Sequence, residues 1–367
     1  MGNFKVNNNT KSVWIDTETD HFWCIVVPTA SAIGLIANII CFSIFNSSEF
    51  INKNKLKENL YRYLKIEALF IIFNLFIQMF RSIMFISSYQ LGLLSKVYSL
   101  YMLWILAGIL EMSALLSHLT STSDFYMVIR NKTNFKWLHK ISRHIKAVFI
   151  FSVSFLNFSY LFFCFKINGY EIKSENEFNQ TVTNWIYSIE DTEFKKTTLK
   201  TILEIFAYVL RDGLINLVLL LLNILIFQHV KRSLNNKKKV IYSASTNGKP
   251  TDNNSLVETN CDQRRKSLKK NDEKIKKANF KAALMVILTC LNNLYGRTPI
   301  LVVFVLRNFY DLEIINNIIN KMACLSVYIS YILNFFIYFF SNSRFRKILK
   351  RHIFLFVTCK WVYKFRK

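Results

Sequence analysis

The chain has 367 residues, 52% of them hydrophobic and 16% aromatic, a formal charge of +25, and only eight glycines and three prolines. Soluble chains of this length need many loops, and loops draw on Gly, Pro and Asx far more heavily than this. A mean hydropathy of +0.23 beside 48 Lys and Arg requires apolar bulk and charge to be segregated along the chain, and charge-poor runs of about 18 or more residues read as membrane spans.

The polar start carries Asp16, Glu18 and Asp20, the wrong flank for a cleaved signal peptide. Seven apolar segments follow: residues 22–45 without a charge, 63–86 with Lys65, Glu67 and Arg81, 97–123 with Glu111 alone, 147–165 without a charge, 203–229 broken by Arg211-Asp212, 282–306 with Arg297 just before Pro299, and 322–340 without a charge. Strand-like alternation and turn residues are not evident, so the segments read as helices. The fold expected is an all-α membrane protein: a seven-transmembrane helix bundle over 22–340 with its N-terminus (1–21) outside, and a cytoplasmic tail (341–367) that opens with a short amphipathic eighth helix.

Orientation rests on Lys and Arg in the connections. Lys53, Lys55 and Lys57 follow the first span, and Arg130, Lys132, Lys136, Lys140, Arg143 and Lys146 follow the third. Lys237-Lys238-Lys239 and Arg264-Arg265-Lys266 follow the fifth, and Arg344, Arg346, Lys347, Lys350 and Arg351 follow the seventh. Glu171, Glu175, Glu177, Glu190, Asp191 and Glu193 fall on the other side. An odd span count places all four basic regions inside. Basic charge beside a bilayer suits anionic lipid and an acidic partner, and nucleic-acid binding is not expected. The connection 231–279 reads as a disordered basic loop: its Ser/Asn/Thr-rich middle, Ser243 to Asp262, lacks the apolar residues of a core, and its ends extend the flanking helices. Asn8 and Asn179 head glycosylation acceptors on the outer side; Asn131 and Asn253 match the same pattern on the inner side.

The seven cysteines contain no CxxC pair, which leaves a zinc knuckle and a disulfide-stapled domain unsupported. The six histidines are scattered without HExxH spacing, and neither a GxSxG elbow nor a Gly-rich phosphate loop occurs. An enzyme is not expected, nor is a cofactor or a metal.

The seventh span carries Leu333-Asn334-Phe335-Phe336-Ile337-Tyr338 and runs into Ser341-Asn342-Ser343-Arg344-Phe345-Arg346-Lys347-Ile348-Leu349. This resembles the NPxxY end and eighth helix of rhodopsin-like (class A) G-protein-coupled receptors, with Asn334 and Tyr338 matching and Phe335 at the proline position. Phe345, Ile348, Leu349 and Ile353 share one helical face, as an interfacial helix requires. Beyond it, Cys359 is a palmitoylation candidate or a plain thiol. Asn38, in Gly34-Leu35-Ile36-Ala37-Asn38, matches the family's first-span asparagine. Asp124 and Tyr126 match the third-span Asp-Arg-Tyr motif, with Phe125 at the arginine. Pro299 matches the sixth-span proline, with Arg297 at the usual tryptophan.

Several family features are missing. No cysteine lies near Leu100 or between Lys166 and Lys200, so the family's outer disulfide has no partners. Glu67 or Ile71 stands nearest the second-span aspartate, the fourth span lacks its tryptophan, and the seventh lacks an opsin's lysine. The resemblance is to a divergent receptor of the invertebrate type. It implies a plasma-membrane protein that passes an extracellular signal, a neuropeptide or other small chemical, to a heterotrimeric G protein. It also implies that Asn38, Asp124, Phe125, Tyr126, Pro299, Asn334 and Tyr338 stand at the activation switch. A seven-helix chemosensory channel or transporter is the alternative, and one with the odorant-channel topology would have its N-terminus inside.

A charge within a span costs at least about 2.5 kcal/mol on insertion scales and needs a partner or a watery cavity. Arg81, Glu111, Arg211, Asp212 and Arg297 sit at depths where an outer cavity would lie. Two readings remain open: a ligand site, with Glu111 taking an amine and Arg81 or Arg211 a carboxylate, or mutual structural pairs, above all Glu111 with Arg297. Arg81 also reads as a side chain snorkelling to the interface. Trp104 and Tyr208 read either as walls of that cavity or as packing residues.

Overall fold

The computed structural model describes residues 22–47, 55–81, 92–130, 143–175, 181–246, 258–309 and 313–357. A π-helical turn, Phe22–Val26, leads into α1 (Val27–Asn46), with Pro28 in its first turn, where the missing N–H costs nothing. Then come α2 (Lys55–Met79), α3 (Leu93–Val97), a π-helical stretch (Tyr98–Leu106), α4 (Ala107–Ile129), α5 (Arg143–Phe158) and α6 (Leu161–Cys164). Strands β1 (Phe165–Glu175) and β2 (Thr181–Asp191) precede a 3-10 turn (Glu193–Lys196), α7 (Thr198–Tyr208), a second π-helical stretch (Val209–Leu214), α8 (Ile215–Thr246), α9 (Glu258–Phe309), α10 (Glu313–Ser341) and α11 (Ser343–Val357).

These elements make seven spans. Six are long and apolar enough to cross a membrane by length and composition: Val27–Asn46, Leu93–Ile129, Ile145–Cys164, Thr198–Arg232, Phe280–Leu306 and Ile318–Ser341. Span two is α2, which carries Arg62, Lys65 and Glu67 in its inner half. Span one packs on two and seven, span three on two, four and five, span five on six, and six on seven. Span three is therefore central, and its face is the most buried of the spans. The isoleucines, leucines and phenylalanines on the other faces of spans one, four and five point outward, as a lipid-facing surface requires. The bundle end nearest Phe22 is called outer below, following the basic-loop distribution.

The structure departs from the sequence expectations in four places. The outer connection after span four is an antiparallel hairpin, with Phe165 opposite Asp191 and Glu175 opposite Thr181. The alternation missed in the sequence is there: Phe165, Ile167, Tyr170 and Ile172 on one strand, Val182, Tyr187 and Ile189 on the other, with a slip at Asn168-Gly169. Gly169 is needed in that slip, because a Cβ there would stand 3.0 Å from the Tyr187 ring. Span three begins at Leu93 and span five at Thr198, both earlier than hydropathy alone suggests, because polar residues open each helix. Thr197 caps α7 by accepting from the Lys200 N–H. Arg211-Asp212 does not break span five but sits inside the π-helical stretch, whose extra residue per turn places both side chains inward. The basic connection 231–279, expected to be disordered, is helical to Thr246 and again from Glu258. Its Lys-, Arg- and Leu-rich ends have high helix propensity, which carries the helices past the membrane limits. Asn8, Asn179 and Cys359 lie outside the described residues.

At the inner end, α11 turns from span seven through Asn342, whose side-chain oxygen accepts from the Arg344 and Phe345 N–H groups. Phe345, Ile348 and Leu349 are buried, with Phe345 against Phe45 and Tyr338, while Ile353 and Phe354 lie exposed on the outer flank.

Candidate functional site: a charged outer cavity above a polar switch

A cavity of about 590 Å³ opens at the outer end of the bundle. Asn74, Gln78 and Arg81 contribute from span two, Trp104 and Glu111 from span three, Tyr208 and Arg211 from span five, and Tyr328 and Tyr331 from span seven. The hairpin closes part of the mouth through Phe165, whose ring meets Trp104 edge-on at 5.0 Å. Volume and lining fit a small-ligand site, aromatic with a few convergent polar groups.

A neutral quartet of charges forms the floor. Arg297 Nη1 lies 2.6 Å from Glu111 Oε1, so the pair expected between spans three and six is present. Arg211 grips its neighbour Asp212, with Nη2 at 2.5 Å from Oδ2 and Nε at 2.9 Å, and reaches Glu111 at 3.7 Å. Arg297 also approaches Asp212 at 4.0 Å. Tyr331 of span seven joins them: it accepts from Arg297 Nη2 at 3.2 Å and donates to Glu111 Oε1 at 3.4 Å. Two cations and two anions thus knit spans three, five, six and seven, which lowers the cost of desolvating each one. Glu111 and Arg211 reach the cavity wall, whereas Asp212 and Arg297 lie beneath it.

The other expected wall residues separate by role. Arg81 lines the cavity with its guanidinium over the Trp23 ring at 4.1 Å, a cation–π contact that ties span two to the outer turn of span one. Tyr208 stacks on Phe304 at 4.1 Å and has the Arg211 guanidinium over its ring at 5.0 Å. Trp104 lines the cavity yet is 45% exposed, so it serves wall and surface at once.

Below the cavity the switch candidates form polar links between helices. Asn38 donates through Nδ2 to the Gly34 carbonyl at 2.8 Å and to the Tyr331 carbonyl at 3.3 Å, bridging spans one and seven. Asn334 accepts from Asn292 Nδ2 at 2.9 Å, and the same amide donates to the Ser330 carbonyl, bridging six and seven. Tyr338 is buried and meets Phe45 edge-on at 5.2 Å. Pro299 lies within span six and removes one hydrogen bond of that helix. Asp124 is buried with Lys146 at 3.8 Å, Phe125 is buried in the apolar core, and Tyr126 accepts from Arg130 at 2.7 Å.

Sequence reasoning missed one cluster. Glu67 of span two, His118 of span three and Cys290 of span six form a buried chain: His118 Nδ1 lies 3.0 Å from Glu67 Oε2, and Nε2 lies 3.1 Å from Cys290 Sγ. Each was visible only as an isolated polar residue in an apolar run, since nothing in sequence separation announces a contact across three helices.

No protein-family model matches the sequence, and no curated protein matches it. Among solved structures, the fold is similar to the crystal structure of squid rhodopsin, with a TM-score of 0.55 and 18% identity over 92% of this chain and 87% of that one. The chain therefore has the rhodopsin-like seven-helix fold of a G-protein-coupled receptor and is a multi-pass membrane protein. At 18% identity the likeness extends to the fold alone.

Proposed function

We propose that this protein is a cell-surface receptor that binds an extracellular neuropeptide or other small chemical signal in the outer cavity and passes the change to a heterotrimeric G protein. The observation that carries this reading is the Glu111–Arg211–Asp212–Arg297 quartet, which places one shared set of ion pairs under the cavity and on three spans at once.

A ligand changes a two-state bundle only by binding one state better than the other. Glu111 and Arg211 present that opportunity. An ammonium at Glu111 competes with Arg297, and a carboxylate at Arg211 competes with Asp212 and Glu111. Either event loosens span six or five from span three, and Pro299 gives span six a place to bend. Asn38, Asn292, Asn334 and Tyr338 then carry the change to the inner end, where the Asp124, Phe125 and Tyr126 turn and the basic ends of α8 and α9 would meet the G protein. Phe125 in place of arginine calls for a different contact there, an apolar one.

Binding is testable without any knowledge of coupling. A peptide and metabolite screen by thermal shift on the detergent-solubilised full chain should find a ligand that stabilises the wild type. Tyr208→Ala and Arg81→Ala, which remove wall groups outside the quartet, should lower its affinity at least tenfold. A ligand whose affinity is indifferent to both changes would place binding elsewhere.

A further inference from the structure

The Glu67–His118–Cys290 chain lies outside both the cavity and the quartet. Thiol, imidazole and carboxylate stand in the order of a nucleophile, its base and the group that orients the base. Yet His118 and Cys290 are at most 1% exposed and none of the three lines a cavity, so no substrate reaches the sulfur. A shared metal ion is ruled out by geometry, because Glu67 and Cys290 bond opposite nitrogens of one ring. What remains is a mechanical link. With Nδ1–H donated to the Glu67 carboxylate, Nε2 is the acceptor for the Cys290 thiol, and the ring is satisfied at both ends. Thr122 reinforces it, donating to the His118 carbonyl at 3.0 Å with its hydroxyl 3.6 Å from Cys290 Sγ.

Its placement is informative. Glu111 and His118 are seven residues apart on span three, and Arg297 and Cys290 are seven apart on span six. Two turns of helix separate each pair, roughly 10 Å. Spans three and six are thus joined at two levels, first by an ion pair at the cavity floor and then by the imidazole–thiol contact. Only the lower joint lies wholly on the inner side of Pro299 and of the quartet. Seven residues further down, Phe125 offers apolar packing and no polar bond to span six.

We propose that the Glu67–His118–Cys290 chain is the latch that sets the resting position of the inner half of span six, and that an outward swing of that half requires the His118–Cys290 contact to break. In its functional consequence this rests on the receptor reading above; in its structural consequence it does not. Span six stays tied to seven through Asn292 and Asn334, so the two move together while the contact to span three opens. Glu67 acts by holding the ring at the angle that meets the sulfur.

Cys290 itself is the probe. In membranes containing the full chain, N-ethylmaleimide labelling is followed at Cys290 by peptide mass spectrometry, with buried Cys41 of span one as the reference for general loosening. His118→Phe fills the site without the hydrogen bonds, and Cys290 should label about five- to tenfold faster, as expected for one lost hydrogen bond of about 1 kcal/mol, while Cys41 keeps its wild-type rate. Glu67→Gln retains an acceptor for Nδ1–H and should give a smaller rise; it also answers the question should His118→Phe fail to fold. In parallel, ligand-independent nucleotide exchange on co-expressed G protein should rise in the same order. Cys290 labelling at the wild-type rate in the folded variants, or a matching rise at Cys41, would overturn the latch. Faster Cys290 labelling in a protein that no G protein answers would retain the latch and retire the receptor reading. An agonist-responsive wild type whose variants show neither change would retain the receptor and retire the latch.

Discussion

Glu111 is where residue-level physics is most exacting. It is the only charge in the stretch 97–123, and its carboxylate sits between two guanidiniums and a tyrosine hydroxyl. Removing one member of a buried pair strands the other, at a cost of about 3–5 kcal/mol. Glu111→Gln and Arg297→Gln should each lower the melting temperature of the solubilised protein. The double substitution should cost less than their sum, by a coupling of about 0.5–3 kcal/mol. Additive losses would show that the two act independently. A second residue-scale test concerns Gly296 on span six, where an added Cβ would stand 2.7 Å from Ser330 Oγ and 2.8 Å from its Cβ. Overpacking of this kind costs about 1–3 kcal/mol, so Gly296→Ala should destabilise the fold and Ser330→Gly should restore it. The Glu111–Arg297 pair was legible in the sequence because a lone charge in a span demands a partner. The Glu67–His118–Cys290 chain was not, because histidine and cysteine are tolerated singly in an apolar run and raise no such demand.

At the scale of elements, α11 shows how amphipathic spacing becomes a joint. Phe345 is fully buried among Phe45, Phe335 and Tyr338, so the eighth helix is fastened to spans one and seven rather than only resting on lipid. Phe345→Ala should cost about 3–5 kcal/mol by the cavity it leaves, read as a fall in melting temperature. Ile353→Ala, on the exposed flank, should leave it nearly unchanged. Equal effects would mean that α11 is not docked. The helix was legible from the spacing of Phe345, Ile348, Leu349 and Ile353. The outer hairpin was not, because its alternation is short, slips at Gly169 and is outweighed by long apolar helices on either side. Span five shows a different limit: Arg211-Asp212 reads as an interruption under a strict 3.6-residue period, and only a π-helical stretch lets both side chains point inward without ending the helix.

The whole molecule has a polar spine with two ends. The outer end is a neutral quartet beneath an open cavity; the inner end is a set of uncharged amide, hydroxyl and thiol contacts that tie spans one, two, three, six and seven together. Neutrality at the floor means that a ligand need not supply net charge but must redistribute what is there. The span count and order were legible from hydropathy and basic loops, since lipid forces every backbone group to be satisfied within a helix. The ligand was not legible, because a closed quartet hides the charge it would offer.

The most direct test of the account is nucleotide exchange on a panel of heterotrimeric G proteins in membranes carrying the full chain, with and without a ligand found by thermal shift. The account predicts ligand-dependent exchange on at least one G protein, with potency reduced at least tenfold by Arg81→Ala. A ligand that binds the cavity and leaves exchange at its basal rate on every member of the panel would contradict it.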